Sequence, residues 1–311
     1  MYTALYRLDT HDIQHDLAHL YEHLVLHRFL RISEEHGFHP ALIGWLVGDT
    51  FAECIYLDVG FYDPDVLSLF NKHIEHIASE PDFNADELKM NLGLISAEDR
   101  ALLTPVSYLK LNDGLRQIKQ RKWTDGTGKN MDKTAAETIL RTHPQPDKYR
   151  DITILLRVDQ PKDYEKKVLQ KLFIILSDIM QVSIQLVYPA YARQYSGIMD
   201  WVDNQCMYIY TIFTVPKKLA KNKDYADIIA RAISEISLSK YFPQIKRQFE
   251  VYAKESWLVA NAVEYYRNFN TVTTTKEVAE LATKETVKAI LDRVTIDIKA
   301  TTAADRKAIK Q

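Results

Sequence analysis

Residues 16–30 read DLAHLYEHLVLHRFL. Leu17, Leu20, Leu24, Phe29 and Ile32 recur near helical spacing, which predicts a long helix over 12–38 with Gly37 as its stop. Within it, His19, Glu22 and His23 form the pattern HxxEH. Two histidines four apart share a helix face and can grip one metal ion through ring nitrogens. Glu22, three residues after His19, projects toward that face, where a carboxylate can take a proton from a metal-bound water. The order is the inverse of the zinc-protease motif HExxH. His11, His15, His19, His23 and His27 recur every four residues. Each such step advances about 400°, so the run drifts across about 160° of the helix and cannot converge on one ion. A solvated polar face carrying incidental histidines is the plainer reading of that run.

Two strands are predicted next, over 41–48 and 51–61, around a Gly48-Asp49 turn; the second, FAECIYLDVGF, alternates and is rich in aromatic and β-branched residues. Pro64 opens a helix that runs to about Ser79. Asn84 caps a third helix, with Glu87 as its capping-box partner, and this helix reaches about Leu103. A further helix covers 106–121, and 123–150 reads as the end of a first domain and a linker. Catalytic zinc normally has three protein ligands, so the two histidines need a partner. Glu98 on the third helix is the candidate; Glu87 and Asp99 are its rivals.

The second half gives a strand (152–158), a helix (161–180), a strand (206–215) and helices over 223–236, 241–267 and 276–291. The crude order resembles the first half and hints at duplication. An α+β chain with domains 1–147 and 148–311 is expected. Forty basic and 42 acidic side chains leave a net charge of −2, which argues against a nucleic-acid binder built on bulk positive charge. No apolar run reaches 18 residues, so no membrane span is expected. The start, MYTALYRLDTHD, does not read as a secretory signal, and Cys54 and Cys206 cannot make a secreted-type disulfide framework. Cytoplasm is the default expectation. His73 and His76 read as an exposed helix face, and the lysines of 217–223 as a solvated loop.

The segment DLAHLYEHLVLHRFL resembles the active-site helix of the M16 metallopeptidases, the pitrilysin, insulysin and mitochondrial-processing-peptidase family. Their pattern is close to G-x-A-H-x-x-E-H, followed some seventy-odd residues later by a Glu on another helix. Ala18, His19, Glu22 and His23 match, and Glu98 falls at about that distance. The resemblance implies Zn2+ held by His19, His23 and Glu98, with Glu22 as general base in peptide hydrolysis. It implies two related domains of the LuxS/MPP-like metallohydrolase type, each a mostly antiparallel sheet packed by helices, the second without a metal site. It also implies an extended peptide substrate along a strand edge, for which Leu42 to Gly48 is the candidate. A homodimer, or a heterodimer with a related subunit, follows from the way family halves pair. RQYSGIMD (193–200) resembles the family's R-x-x-x-G-L-x-Y, so Arg193 is a candidate substrate-binding residue. Asp200 stands at the Tyr position, Asn91 where a second Glu is usual, and Asp16 where the family has Gly. Only 18 residues precede the motif, so the family's opening strands are expected to be short or missing. LuxS-type enzymes share HxxEH but use a Cys as third ligand, and this chain is too long for them. A family-related interaction or scaffold subunit without activity is the alternative reading.

Overall fold

The computed structural model describes residues 1–98, 101–102, 107–127, 143–144, 146–188, 192–200, 206–221, 224–236, 240–255 and 273–301, with 101–102, 143–144, 146, 192–200 and 255 described for backbone alone. The chain is α+β and divides into two compact units, Met1–Pro146 and Asp147–Gln311.

The first unit has a four-stranded antiparallel sheet in the order β2-β3-β1-β5, formed by β1 (Tyr2–Asp9), β2 (Gly44–Thr50), β3 (Cys54–Phe61) and β5 (Thr124–Asp125). Helices α1 (His15–Glu35) and α2 (Pro64–His76) lie against it, and α3 (Ala85–Glu98) and α4 (Tyr108–Lys119) pack on α1. The core between them is apolar, and Phe29 of α1 meets Phe70 of α2 edge to face at 4.7 Å. Helix α1 ends where Gly37 takes φ +85°, with Phe38 N–H donating to the Ser33 carbonyl and Gly37 N–H to that of Glu34. This is a Schellman closure, which glycine enters without steric cost.

Several expectations are corrected. β1 is a full strand paired along its length with β3, so the chain does open with a strand, and it lies inside the sheet. Gly48 and Asp49 belong to β2, and the hairpin turns instead at 51–54, where Phe51 N–H donates to the Cys54 carbonyl. Helix α3 ends at Glu98, and β4 (Ala101–Leu102) pairs with β6 (His143–Pro144) as a separate short ladder. The supposed linker starts inside the fold, since Trp123 is buried and stacks on Tyr21. His73 is buried as well. Its Nε2 donates to the Val25 carbonyl at 3.2 Å and its Nδ1 lies 2.8 Å from Glu80 Oε1.

The caps follow the sequence more closely. Asp63 caps α2 with Pro64 at its first position. Asn84 Oδ1 accepts from the Asp86 and Glu87 amides, while Glu87 Oε2 accepts from the Asn84 amide. Asn84→Ala is expected to destabilise the first unit by about 1 kcal/mol. Urea denaturation checks this; no change in midpoint would contradict it.

In the second unit the sheet order is β10-β7-β9-β8, again antiparallel, from β7 (Tyr149–Asp159), β8 (Ala192–Asp200), β9 (Cys206–Pro216) and β10 (Thr295–Ala300). Strand by strand this matches the first unit: β7 corresponds to β1, the β8–β9 pair to β2–β3, and β10 to β5. In both units the long helix follows the first strand, here α5 (Asp163–Val187). By length and composition α5 could cross a membrane, but most of that stretch is buried within its own unit. The predicted helix over 276–291 is two helices, Thr275–Leu281 and Lys284–Leu291, because Thr283 caps the second and breaks the first. Of the predicted 241–267 helix, Phe242–Glu255 is helical, and 256–267 lie outside the described residues. Strands β8 and β10 have no counterpart in the sequence reading.

Candidate functional site

Helices α1 and α3 run antiparallel and are pinned at three levels. At the first, Arg28 makes a two-pronged bond to Glu87 at 2.9 and 3.0 Å and reaches Glu80 at 3.1 Å. At the second, His27 Nδ1 bonds to Asn91 Oδ1, while Asn91 Nδ2 donates to the Glu87 carbonyl. The third brings His19 and His23 to Glu98. His23 Nε2 lies 3.1 Å from His19 Nε2 and 3.5 Å from Glu98 Oε2, and His19 Nε2 lies 3.9 Å from that same oxygen. Glu87 is therefore committed to Arg28 and Arg31 and is not the third member. Asp99 lies outside the described residues.

These three donors fit a divalent metal. Tetrahedral zinc with bonds of about 2.0–2.2 Å sets its ligand atoms about 3.3 Å apart, and two imidazoles with one carboxylate is a donor set of catalytic zinc sites. The three ligand atoms all lie within 4.8 Å of one another. The other histidines of the run go elsewhere. His15 Nε2 donates to the Thr50 carbonyl at 3.2 Å, His27 is taken by Asn91, and His11 precedes the helix. The drift around the helix thus sends His15 and His27 to neighbours of their own.

Glu22 points from α1 onto β2 and is buried. Thr50 Oγ1 donates to its Oε2 at 2.7 Å. A side chain at Gly48 would overlap the Glu22 carboxylate, which explains a glycine inside a strand. No sequence signal marks Thr50. Burial pushes the Glu22 carboxyl up from its ordinary range, against the pull of His23 and the Thr50 bond. A raised carboxyl is the better base near neutrality. Glu98 is net lowered: burial opposes ionisation, but the bond to His23 and the nearby imidazoles outweigh it.

Burial, then the charge of His23, brings His19 and His27 each down to about 4 from an ordinary 6.5. Both rings are neutral at pH 7, the form that can ligate. An unfolded chain takes up these two protons near pH 6.5, and the folded chain only near 4. The unfolded state binds more protons in that window, so stability falls as pH drops through it. Metal-free protein is expected to melt lower at pH 5 than at pH 7. A melting temperature constant across that range would contradict this.

Arg193 lies in β8 opposite Phe213, beside a register shift between Arg193 and Tyr195. Its side chain is outside the described residues, as is Trp201, while Asp200 ends the same strand.

No family model matches the chain, and no curated protein matches it. Among solved structures it is similar to a mutant of the ferredoxin protease FusC in complex with Arabidopsis ferredoxin, at 12% identity over 96% of this chain and 42% of that one, TM-score 0.33. It is similar to the periplasmic protease PqqL from Escherichia coli, at 10% identity over 96% and 43%, TM-score 0.36. A predicted insulinase family protease from Yersinia pestis is 11% identical over 99% and 89%, TM-score 0.28. The chain spans about two fifths of the FusC and PqqL chains.

Proposed function

We propose that the chain is a zinc endopeptidase of M16 type acting on peptides or unfolded small proteins. The observation that carries this is the meeting of His19, His23 and Glu98 at 3.1–3.9 Å, beside a buried Glu22 on the same helix. His19, His23 and Glu98 would hold the ion. When bound, zinc supplies Lewis acidity, which brings a coordinated water to a pKa of about 7 and polarises a carbonyl. Glu22 takes the proton from the attacking water as the peptide carbonyl is attacked, and returns it to the departing amine. Burial raises the proton affinity of Glu22 above that of a solvated carboxylate, which favours its taking that proton.

Strand β2 borders the sheet with one side unpaired among the described residues, so an extended peptide could add to it through main-chain hydrogen bonds. The matching strand orders of the two units support a duplicated, two-domain design of the LuxS/MPP-like type. Pairing with a second copy or a related subunit belongs to the same proposal, and Arg193 remains its candidate for contact with substrate.

The test is cleavage of a mixed quenched-peptide library. Cleavage lost on chelation and restored by zinc is expected. One zinc per chain with no peptide cut, alone or with added partner, would favour the inactive scaffold reading instead.

A further inference from the structure

We propose that Thr50 is the positioning residue for the Glu22 carboxylate, with Gly48 as its seat and His15 fixing Thr50 itself. This rests on the peptidase reading and extends it to the strand that faces the base. Gly48 and Thr50 are two apart in β2 and so share the sheet face that α1 covers. The Glu22 carboxylate lies over Gly48, where any Cβ would overlap it. Thr50 Oγ1 then hooks Oε2 at 2.7 Å. Behind it, His15 Nε2 holds the Thr50 carbonyl at 3.2 Å, one helical turn before His19. The strand end is thereby tied to α1 from both its side chain and its backbone.

Two consequences follow from this geometry. The bond takes one acceptor site of Oε2 and leaves the carboxylate's remaining sites to accept the proton. The base is also held by the strand proposed to dock the peptide, so its position is set relative to the substrate backbone rather than to the helix alone. A glutamate side chain has three torsions, and misplacing a reacting group by about 1 Å can cost about 100-fold.

The experiment compares wild type, Thr50→Val, Thr50→Ser and Gly48→Ala, each loaded with zinc. Valine keeps the β-branched shape and loses only the hydroxyl. For Thr50→Val, kcat on a quenched peptide is expected to fall about 10- to 100-fold. Its KM should stay within about twofold and its zinc content should be unchanged. Thr50→Ser should recover to within about threefold of wild type, since the hydroxyl returns. Gly48→Ala reaches the same carboxylate from below and should lower kcat with zinc retained, which keeps the test intact if the valine variant does not fold. A second readout needs no turnover: crystal structures of the zinc-loaded variants should show the Glu22 carboxylate displaced in Thr50→Val and in place in Thr50→Ser. If wild type binds zinc but cuts nothing, the peptidase reading fails and this displacement alone decides the role of Thr50. An unmoved carboxylate, or a valine variant with wild-type kcat, overturns the proposal.

Discussion

Glu22→Gln is expected to keep a full zinc complement and lose peptide hydrolysis by about 100- to 10,000-fold, the usual worth of a general acid–base group. That is about 3–5 kcal/mol of transition-state stabilisation. Glutamine preserves the shape that fits over Gly48, and its carbonyl oxygen can still accept from Thr50 Oγ1. The proposed ligands His19, His23 and Glu98 are untouched. What disappears is the carboxylate that takes the proton. Because burial already disfavours the ionised form of Glu22, the amide should also melt no lower than wild type. The check is kcat/KM beside zinc analysis and a melting curve on the same sample. A variant within threefold of wild type would remove Glu22 from the chemistry.

His23→Ala is expected to abolish zinc binding at stoichiometric metal. His23 is the middle donor of the three, at 3.1 Å from His19 and 3.5 Å from Glu98. Without it, two donors 3.9 Å apart remain, short of the three that catalytic zinc requires. Wild type should gain thermal stability when zinc is added, by about 2.7 kcal/mol at a free concentration 100 times its Kd, while the variant should gain none. His36→Ala is the control. That ring bonds its own helix at the Ile32 carbonyl, away from the three donors, and its loss should leave zinc content unchanged. Zinc loss in both variants alike would mean the histidines bind metal loosely as a group, with no defined site.

Much of the first unit was legible from local signals. The helical spacing through Phe29, the Pro64 start and the Asn84–Glu87 box each depend on a few neighbouring residues, and each appears in the structure. The errors are tertiary in origin. Gly48 reads as a turn because glycine usually marks one, yet in the structure it makes room for Glu22. His73 and His76, three apart, read as an exposed helix face, yet the Val25 carbonyl and Glu80 enclose His73. Strand β1 is only partly buried along its length, so its sequence gives little sign that β3 and β5 flank it. At the site, the His19–His23 pair is a four-residue spacing visible in any helix. Glu98 could be singled out over Glu87 only through the family resemblance, because its approach depends on Arg28–Glu87 and His27–Asn91 aligning two helices. Thr50 had no signal at all, since a strand-end threonine acquires its role from what packs above it.

The central claim is that His19, His23 and Glu98 form a zinc site. Zinc-edge X-ray absorption on protein stripped of metal and reloaded with one equivalent tests it most directly. The account predicts one tightly retained zinc per chain, a first shell of nitrogen and oxygen at about 2.0–2.2 Å, and outer-shell scattering from two imidazoles. Zinc that washes off on desalting, or a sulfur ligand at about 2.3 Å from Cys54 or Cys206, would contradict it.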